Sequence, residues 1–331
     1  MRTAVSYLVG LLLTGAWLGV AQEPTEPTVA TFSIVAFDPK TGDVGVAVQS
    51  RFFSVGPVVP WVEAGVGAVA TQAFANVTYG PRGLELLRLG LTPEQVAKLL
   101  TEADPQHDRR QLGIVDTKGN VHTYTGARCT PWAGGRVGKD TEGRAYAVQG
   151  NILAGEAVVL AMERAFLDSS GELADRMVAA LAAGQEAGGD SRGQQSAALV
   201  VMRPRGGYGQ MNDRYLDLRV EDHPAPIREL ARLLGIRHAM RLLGEAARAA
   251  QEQKSAAAYE SLQKALAAAP EYPDVHYALA RYLARSGRQA EALEWLAKAI
   301  RGNSNLKSSA RRDQAFAALR ENPGFQALLK D

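Results

Sequence analysis

Several apolar stretches of this chain end in uncharged polar side chains, and those are the residues whose types and spacing could do chemistry. Gln49-Ser50, Thr71-Gln72 and Gln149-Gly150-Asn151 close three such stretches, and Asn76 lies just beyond the second. A loop, Gly188 to Ser196 (GGDSRGQQS), leads into a further apolar run. Amides and hydroxyls gathered at several strand ends make a polar pocket with donors suited to an oxyanion. The alternative is that they cap strand termini and satisfy loop backbone. Other chemistries are less well marked. His107, His122, His223, His238 and His276 lack metal-ligand spacing, and neither HExxH nor CxxC occurs, so neither a metal nor a cofactor is expected. Cys129 is the sole cysteine and reads as a half-buried structural thiol rather than the alternative, a nucleophile. There is no GxSxG elbow, and no Gly-rich phosphate loop follows a strand.

The elements that must carry these residues can be read from the pattern. Thr31 to Asp38 and Val44 to Val48 flank the turn residues Pro39 to Asp43 and predict a hairpin. Gly65 to Gln72 predicts a third strand, with glycines that admit another backbone closely. A helix with Pro81 in its first turn ends near Gly90. Another opens on Thr92-Pro93-Glu94-Gln95, a capping box with proline at the first helical position, and runs to about Glu102. Strands follow at Gln111 to Asp116, Val121 to Tyr124 and Ala145 to Gln149. Helices are predicted at Ile152 to Leu167 and Leu173 to Glu186, and closing strands at Ser196 to Met202 and Tyr215 to Val220. The hairpins exclude an all-parallel sheet, and two antiparallel sheets with helices outside them fit the order.

The length, 331 residues, argues for two domains, and 46% hydrophobic residues are enough to build their cores. A net charge of +2 with no basic stripe gives no electrostatic case for nucleic acid. Arg2, the apolar run Ala4 to Val20 and the small residues Gly19-Val20-Ala21 form a secretory signal over residues 1–21. A retained membrane anchor is the other reading of that run. Residues 22–30 then form a Pro- and Thr-rich spacer or propeptide. Export to the periplasm or the outside of the cell is expected, with no stable membrane span after signal removal.

From about Leu230 the chain becomes rich in Ala, Leu, Glu, Arg and Gln. Ala246, Ala258, Leu262 and Ala265 recur as Ala280, Ala292, Leu296 and Ala299, a spacing of 34 residues. Over about 239–306 this resembles the tetratricopeptide repeat, although Leu242 and His276 replace its first aromatic position. Residues 231–331 are taken as an all-α repeat domain, with Leu319 to Leu329 as a cap. A generic helical hairpin is the alternative, and either could serve a protein partner.

Residues 31–230 resemble a bacterial and archaeal family, domain of unknown function 1028, grouped with the N-terminal-nucleophile (Ntn) hydrolases. The resemblance is carried by TFSIVAFDPKTGDVGVAVQSRFFSVGPVVPW, GVGAVATQAFAN, YAVQGNIL, GGDSRGQQSAALVV and DLRVEDHP. It implies an α+β fold, a four-layer αββα sandwich with two antiparallel sheets. It makes Thr31, which opens the first strand, the candidate nucleophile. If Thr31 is the mature N-terminus, its own α-amine is the base. By position, Gln49 and Ser50 are expected beside Thr31. Gln72, Asn76 and Asn151 are candidate oxyanion donors. Asp190 and Arg192 either bind a substrate carboxylate or brace their loop. Cleavage after Ala21 leaves nine residues, 22–30, ahead of Thr31, so either the Ala30–Thr31 bond is also cut, by signal peptidase or by autoprocessing, or the domain does not use this chemistry and Thr31 is an ordinary strand threonine.

The function expected is an exported amidohydrolase of the Ntn type, acting on a small amide or peptide-like substrate, as a monomer or homo-oligomer. The rivals are a non-catalytic binding module of the same fold, with the repeats as its working surface, and a structural scaffold of the cell envelope.

Overall fold

A computed structural model describes residues 31–330; the expected signal segment and the expected spacer or propeptide lie outside the described residues. In chain order the strands are β1 (Thr31–Asp38), β2 (Asp43–Ser50), β3 (Pro60–Glu63), β4 (Gly67–Ala73), β5 (Arg110–Asp116), β6 (Val121–Thr125), β7 (Gly134–Lys139), β8 (Ala145–Asn151), β9 (Ser196–Met202) and β10 (Arg214–Val220). The helices of the same region are α1 (Tyr79–Arg88), α2 (Pro93–Glu102), α3 (Ala157–Asp168) and α4 (Leu173–Glu186). Six strands form one sheet in the order β10-β9-β2-β1-β8-β7, and four form the other, β3-β4-β5-β6. Every neighbouring pair is antiparallel.

Packing stacks these elements in four layers, as the resemblance implies. Phe32, Ile34 and Val148 face outward from the six-stranded sheet into Met162 and Phe166 of α3 and Met177 and Leu181 of α4. Val35, Val46, Val48 and Ala147 turn the other way and meet Ala68, Ala70 and Val115 of the second sheet. That sheet's far face, with Val69, Leu112 and Ile114, is covered by Leu84 of α1 and Val96 and Leu100 of α2. Because β1 is buried on both faces, it reads as a continuous apolar run rather than an alternating one. Its turn into β2 closes with Gly42 at φ 74°, where a side chain would be strained.

Helix starts follow the local signals. The Thr92 hydroxyl accepts from the Gln95 N–H and the Gln95 side chain accepts in return, the capping box expected from the sequence. A second box, Glu172 with Asp175, opens α4. The third strand is displaced: β4 begins at Gly67, where Leu87 and the Val115 carbonyl leave no room for a Cβ. The separate edge strand β3 precedes it. Strand β7 has no counterpart in the sequence prediction, because an exposed, Gly-rich edge lacks an apolar pattern. Helix α3 begins at Ala157 and not at Ile152, because Ile152 to Glu156 form the connection out of β8.

The boundary expected at 230 falls inside one helix. α5 (Pro226–Gln251) runs unbroken for 26 residues. Its first half puts Ile227, Leu230 and Leu234 into the α3–α4 core. Its second half puts Ala239, Leu242 and Ala246 against Leu262 and Ala265 of α6 (Ser255–Ala268). His238 binds Asp175 of α4 through Nε2 at 2.8 Å. The Asp175 hydrogen bond holds the His238 pKa above its ordinary value. The pair therefore stabilises most in mild acid, and the contribution is lost as pH rises through that raised pKa.

The tail continues as α7 (Pro273–Arg285), α8 (Gln289–Gly302), α9 (Leu306–Arg312) and α10 (Pro323–Leu329). All the small and large residues of the 34-residue spacing are buried where helices cross. His276, in the place of the aromatic, packs against Trp295 at 5.2 Å between ring centroids. Phe316, Leu319, Phe325 and Leu329 close the end, as the capping segment requires. Among the described residues no helix is long and apolar enough to cross a membrane.

Candidate active site

Thr31 opens β1, an interior strand, and is paired on one side with Ser50 and on the other with Asn151. Directly opposed residues of antiparallel strands share a face. The three side chains therefore lie together on the face turned to the second sheet, at one end of the sandwich. Thr31 Oγ1 donates to Ser50 Oγ at 3.1 Å, and both residues are fully buried.

Below them a polar layer crosses between the sheets. Ser33 Oγ donates to Gln72 Oε1 at 2.6 Å and accepts from Gln149 Nε2 at 2.6 Å. Gln72 Nε2 donates to Gln111 Oε1 at 2.8 Å and to the Thr31 carbonyl at 3.3 Å. Asn151 Nδ2 donates to Gln111 Oε1 at 3.0 Å. Gln111 Nε2 in turn reaches the Gly150 carbonyl at 2.8 Å, the Gly134 carbonyl at 3.3 Å and Thr125 Oγ1 at 2.9 Å. Gly113 makes room for this layer, since a Cβ there would stand 2.3 Å from Gln149 Oε1. Two acceptors in the layer, Asn151 Oδ1 and Gln149 Oε1, are buried with no hydrogen-bond partner.

The backbone is strained where the chain leaves this layer. Ala73, directly after Gln72, has φ 65°, and Ile152, directly after Asn151, has φ 52°. A β-branched residue at positive φ is uncommon and costs about 1–3 kcal/mol, held here by its surroundings.

Of the other expected site residues, Gln49 and Asn76 point elsewhere, whereas Asp190 sits at the strand ends that flank Thr31, bound to the Arg51 N–H beyond Ser50 and bridged to Leu153 beyond Asn151. Gln49 faces away: it pairs with Phe32, on the helix-covered side, because successive strand residues alternate faces. Its amide is buried there without a hydrogen-bond partner. Asn76 donates to Asp104 Oδ2 at 3.2 Å and accepts from Thr78, so its amide braces the loop before α1. Asp190 is buried; it accepts from the Arg51 N–H at 3.2 Å and is clasped by the Arg192 guanidinium at 3.2 and 3.0 Å. The pair joins its loop to the end of β2. Gln72 Nε2 donates twice within the layer and Asn151 Nδ2 donates to Gln111, while Asn151 Oδ1 stands without a hydrogen-bond partner. Ser33, Gln111 and Thr125 were not singled out from the sequence. A period-two signal does exist: Thr31 with Ser33, and Gln149 with Asn151, are polar pairs two residues apart in otherwise apolar strands.

Two clefts lie elsewhere on the domain. One of about 320 Å³ lies between α1 and α2, lined by Asn76, Tyr79, Arg82 and Asp104. The other is a broad groove over α3 and α4. Asp104 organises the first. Burial alone would raise its pKa, but hydrogen bonds from Arg110, the Gln106 N–H, Tyr79 and Asn76 hold it down at about 2. A depressed carboxylate pKa stabilises the fold above the unfolded value, and the gain is lost as pH falls through the folded one. From a reference of 3.8 the shift corresponds to about 2 kcal/mol. Asp104→Asn is expected to lose at least this much at neutral pH in urea unfolding. Its deficit against the wild type should shrink from about pH 4 downward; a pH-independent deficit would contradict the assignment.

The sequence profile of a family of unknown function, number 1028, matches residues 31–230. The chain belongs to that family. A tetratricopeptide repeat profile matches residues 252–323. The crystal structure of a Silicibacter pomeroyi protein of family 1028 is similar, with 31% identity and a TM-score of 0.55. It covers 62% of this chain and 88% of its own. No curated protein matches. The family 1028 domain of this chain is thus the four-layer sandwich with the buried polar layer, and the repeat tail is appended through α5.

Proposed function

We propose that the family 1028 domain is an N-terminal-nucleophile amidohydrolase, exported and then cut before Thr31. The observation that supports this is the place of Thr31. It is the first residue of an interior strand, with its hydroxyl on the between-sheet face against Ser50 and its carbonyl bound by Gln72. Hydrolysis of the Ala30–Thr31 bond consumes one water and frees an α-amine at the start of β1. An α-amine has a reference pKa of roughly 7.7–8.0, so an appreciable fraction is neutral at pH 7. The amine takes the Oγ1 proton as the oxygen attacks an amide carbonyl. Collapse of the tetrahedral intermediate breaks the C–N bond, and that proton leaves with the amine product. Water then hydrolyses the threonyl ester and restores the hydroxyl. The substrate proposed is a small amide or peptide-like molecule, and the helical repeats engage a protein partner.

The rival, a non-catalytic binding module of the same fold, is favoured by the complete burial of Thr31 ahead of any cut. The N-terminus of the mature exported protein separates the two. Sequencing is expected to begin at Thr31; a mature chain beginning at Gln22 overturns the proposal.

A further inference from the structure

The atom beside Thr31 that lacks a hydrogen-bond partner is an acceptor, and its identity is fixed by a chain of contacts. Gln111 Nε2 faces two backbone carbonyls, those of Gly150 and Gly134, which can only accept. Gln111 Oε1 must therefore point at Asn151 and Gln72. An oxygen at Gln111 in turn requires Asn151 to present its Nδ2 there, at 3.0 Å. That leaves Asn151 Oδ1 as the remaining group, buried and without a hydrogen-bond partner. A buried acceptor left unpaired is costly, about 1–3 kcal/mol, and asks for a donor.

We infer that Asn151 Oδ1 is the acceptor that holds the α-amine of Thr31 once the Ala30–Thr31 bond is cut. This rests on the reading of Thr31 as a nucleophile exposed by cleavage. Asn151 is the cross-strand partner of Thr31, and on a shared face such partners have Cβ atoms roughly 4.5–5.5 Å apart. A side-chain amide at that separation reaches the backbone nitrogen at the strand start. Cleavage turns that nitrogen from one N–H into a group with two or three, so a donor is created opposite an acceptor that had none. The charged groups at this end are Asp190 and Arg192, which pair with each other, so the neutrality of the Asn151 amide matters. A carboxylate in its place would stabilise the ammonium form and remove the base near neutral pH, whereas a neutral oxygen orients the amine and leaves it able to take a proton. Asn151 is thus a positioning residue acting through the α-amine, and not the oxyanion donor that its strand-end location suggested.

The test titrates the amine directly and needs no substrate. Mature full-length protein is labelled with trace acetic anhydride over a series of pH values, and acetylation of the Thr31 amine is read by mass. Asn151→Asp is expected to raise the titration midpoint by about one pH unit or more. Asn151→Ala is expected to lower it, since an ammonium deprived of its acceptor in a buried site is disfavoured. Thermal melts of both variants check that each is folded, and a role confined to packing would not move the midpoint in opposite directions. Midpoints equal to the wild type in both variants overturn the inference and leave the nucleophile reading standing. A mature chain that retains Ala30 has no such amine and overturns both.

Discussion

Thr31→Ala is expected to abolish amide hydrolysis by the mature protein, with kcat falling by roughly 10³-fold or more. The size follows from the division of labour at the site. Removing Oγ1 removes both the atom that attacks and the proton that the α-amine accepts, and no other side chain on the same face is placed to substitute. Ser50 is the nearest hydroxyl, but it lies within β2, with no free amine of its own. KM should change little, because the substitution deletes one hydroxyl and leaves the strand in register. The fold should survive. One hydrogen bond to Ser50 is lost, for about 1 kcal/mol. Turnover of a panel of small amides and short peptides, with a thermal melt run alongside, is the measurement. A folded Thr31→Ala protein that still turns over the same amides as the wild type removes the chemistry from this residue. Thr31→Ser, which keeps a hydroxyl and an amine, should retain part of the activity.

The largest effect on stability is expected from Gln111→Leu. This side chain joins the two sheets: it accepts from Gln72 and Asn151 and donates to two carbonyls of the facing sheet and to Thr125. Leucine has nearly the same volume, so no large cavity is left; what is left is a set of buried donors and acceptors with nothing to bind. Each costs about 1–3 kcal/mol, and partial rearrangement brings the sum to about 3–5 kcal/mol. Urea unfolding should show a lower midpoint with an unchanged slope, since the surface exposed on unfolding is the same. A loss below about 1 kcal/mol would mean the layer is satisfied some other way. The contrast with Gln49 is informative, because its amide is buried but bonded to nothing. Gln49→Leu should be neutral or stabilising.

The two predictions draw on parts of the molecule that the sequence disclosed unequally. The β1–β2 hairpin, the capping box at Thr92 and the 34-residue spacing of Ala and Leu are local signals, decided by residues close in the chain, and the fold keeps them. The polar layer is not local. Gln111 sits at the start of a strand and resembles any polar strand end; only the stacking of the sheets makes it the group that five others reach. Gln49 and Ser50 show the opposite limit. They are neighbours in sequence and both end a strand, yet a period of two sends one toward Thr31 and the other toward the helices. Strand β7 was invisible because its pairing with β8 is specified by backbone, not by apolar side chains. The resemblance to family 1028 supplied Thr31 as a nucleophile, since its period-two pairing with Ser33 marks only a polar strand face.

α5 has a further consequence. A helix rises about 1.5 Å per residue, so its 26 residues form a rod of about 39 Å with one end fixed in each core. A linker would let the repeats bind a partner without disturbing the sandwich. A rod does not. Leu234 and His238 tie the rod to α4, which covers the far side of β1. The first half of the rod therefore belongs to the sandwich core and the second to the repeat core, with no linker between them.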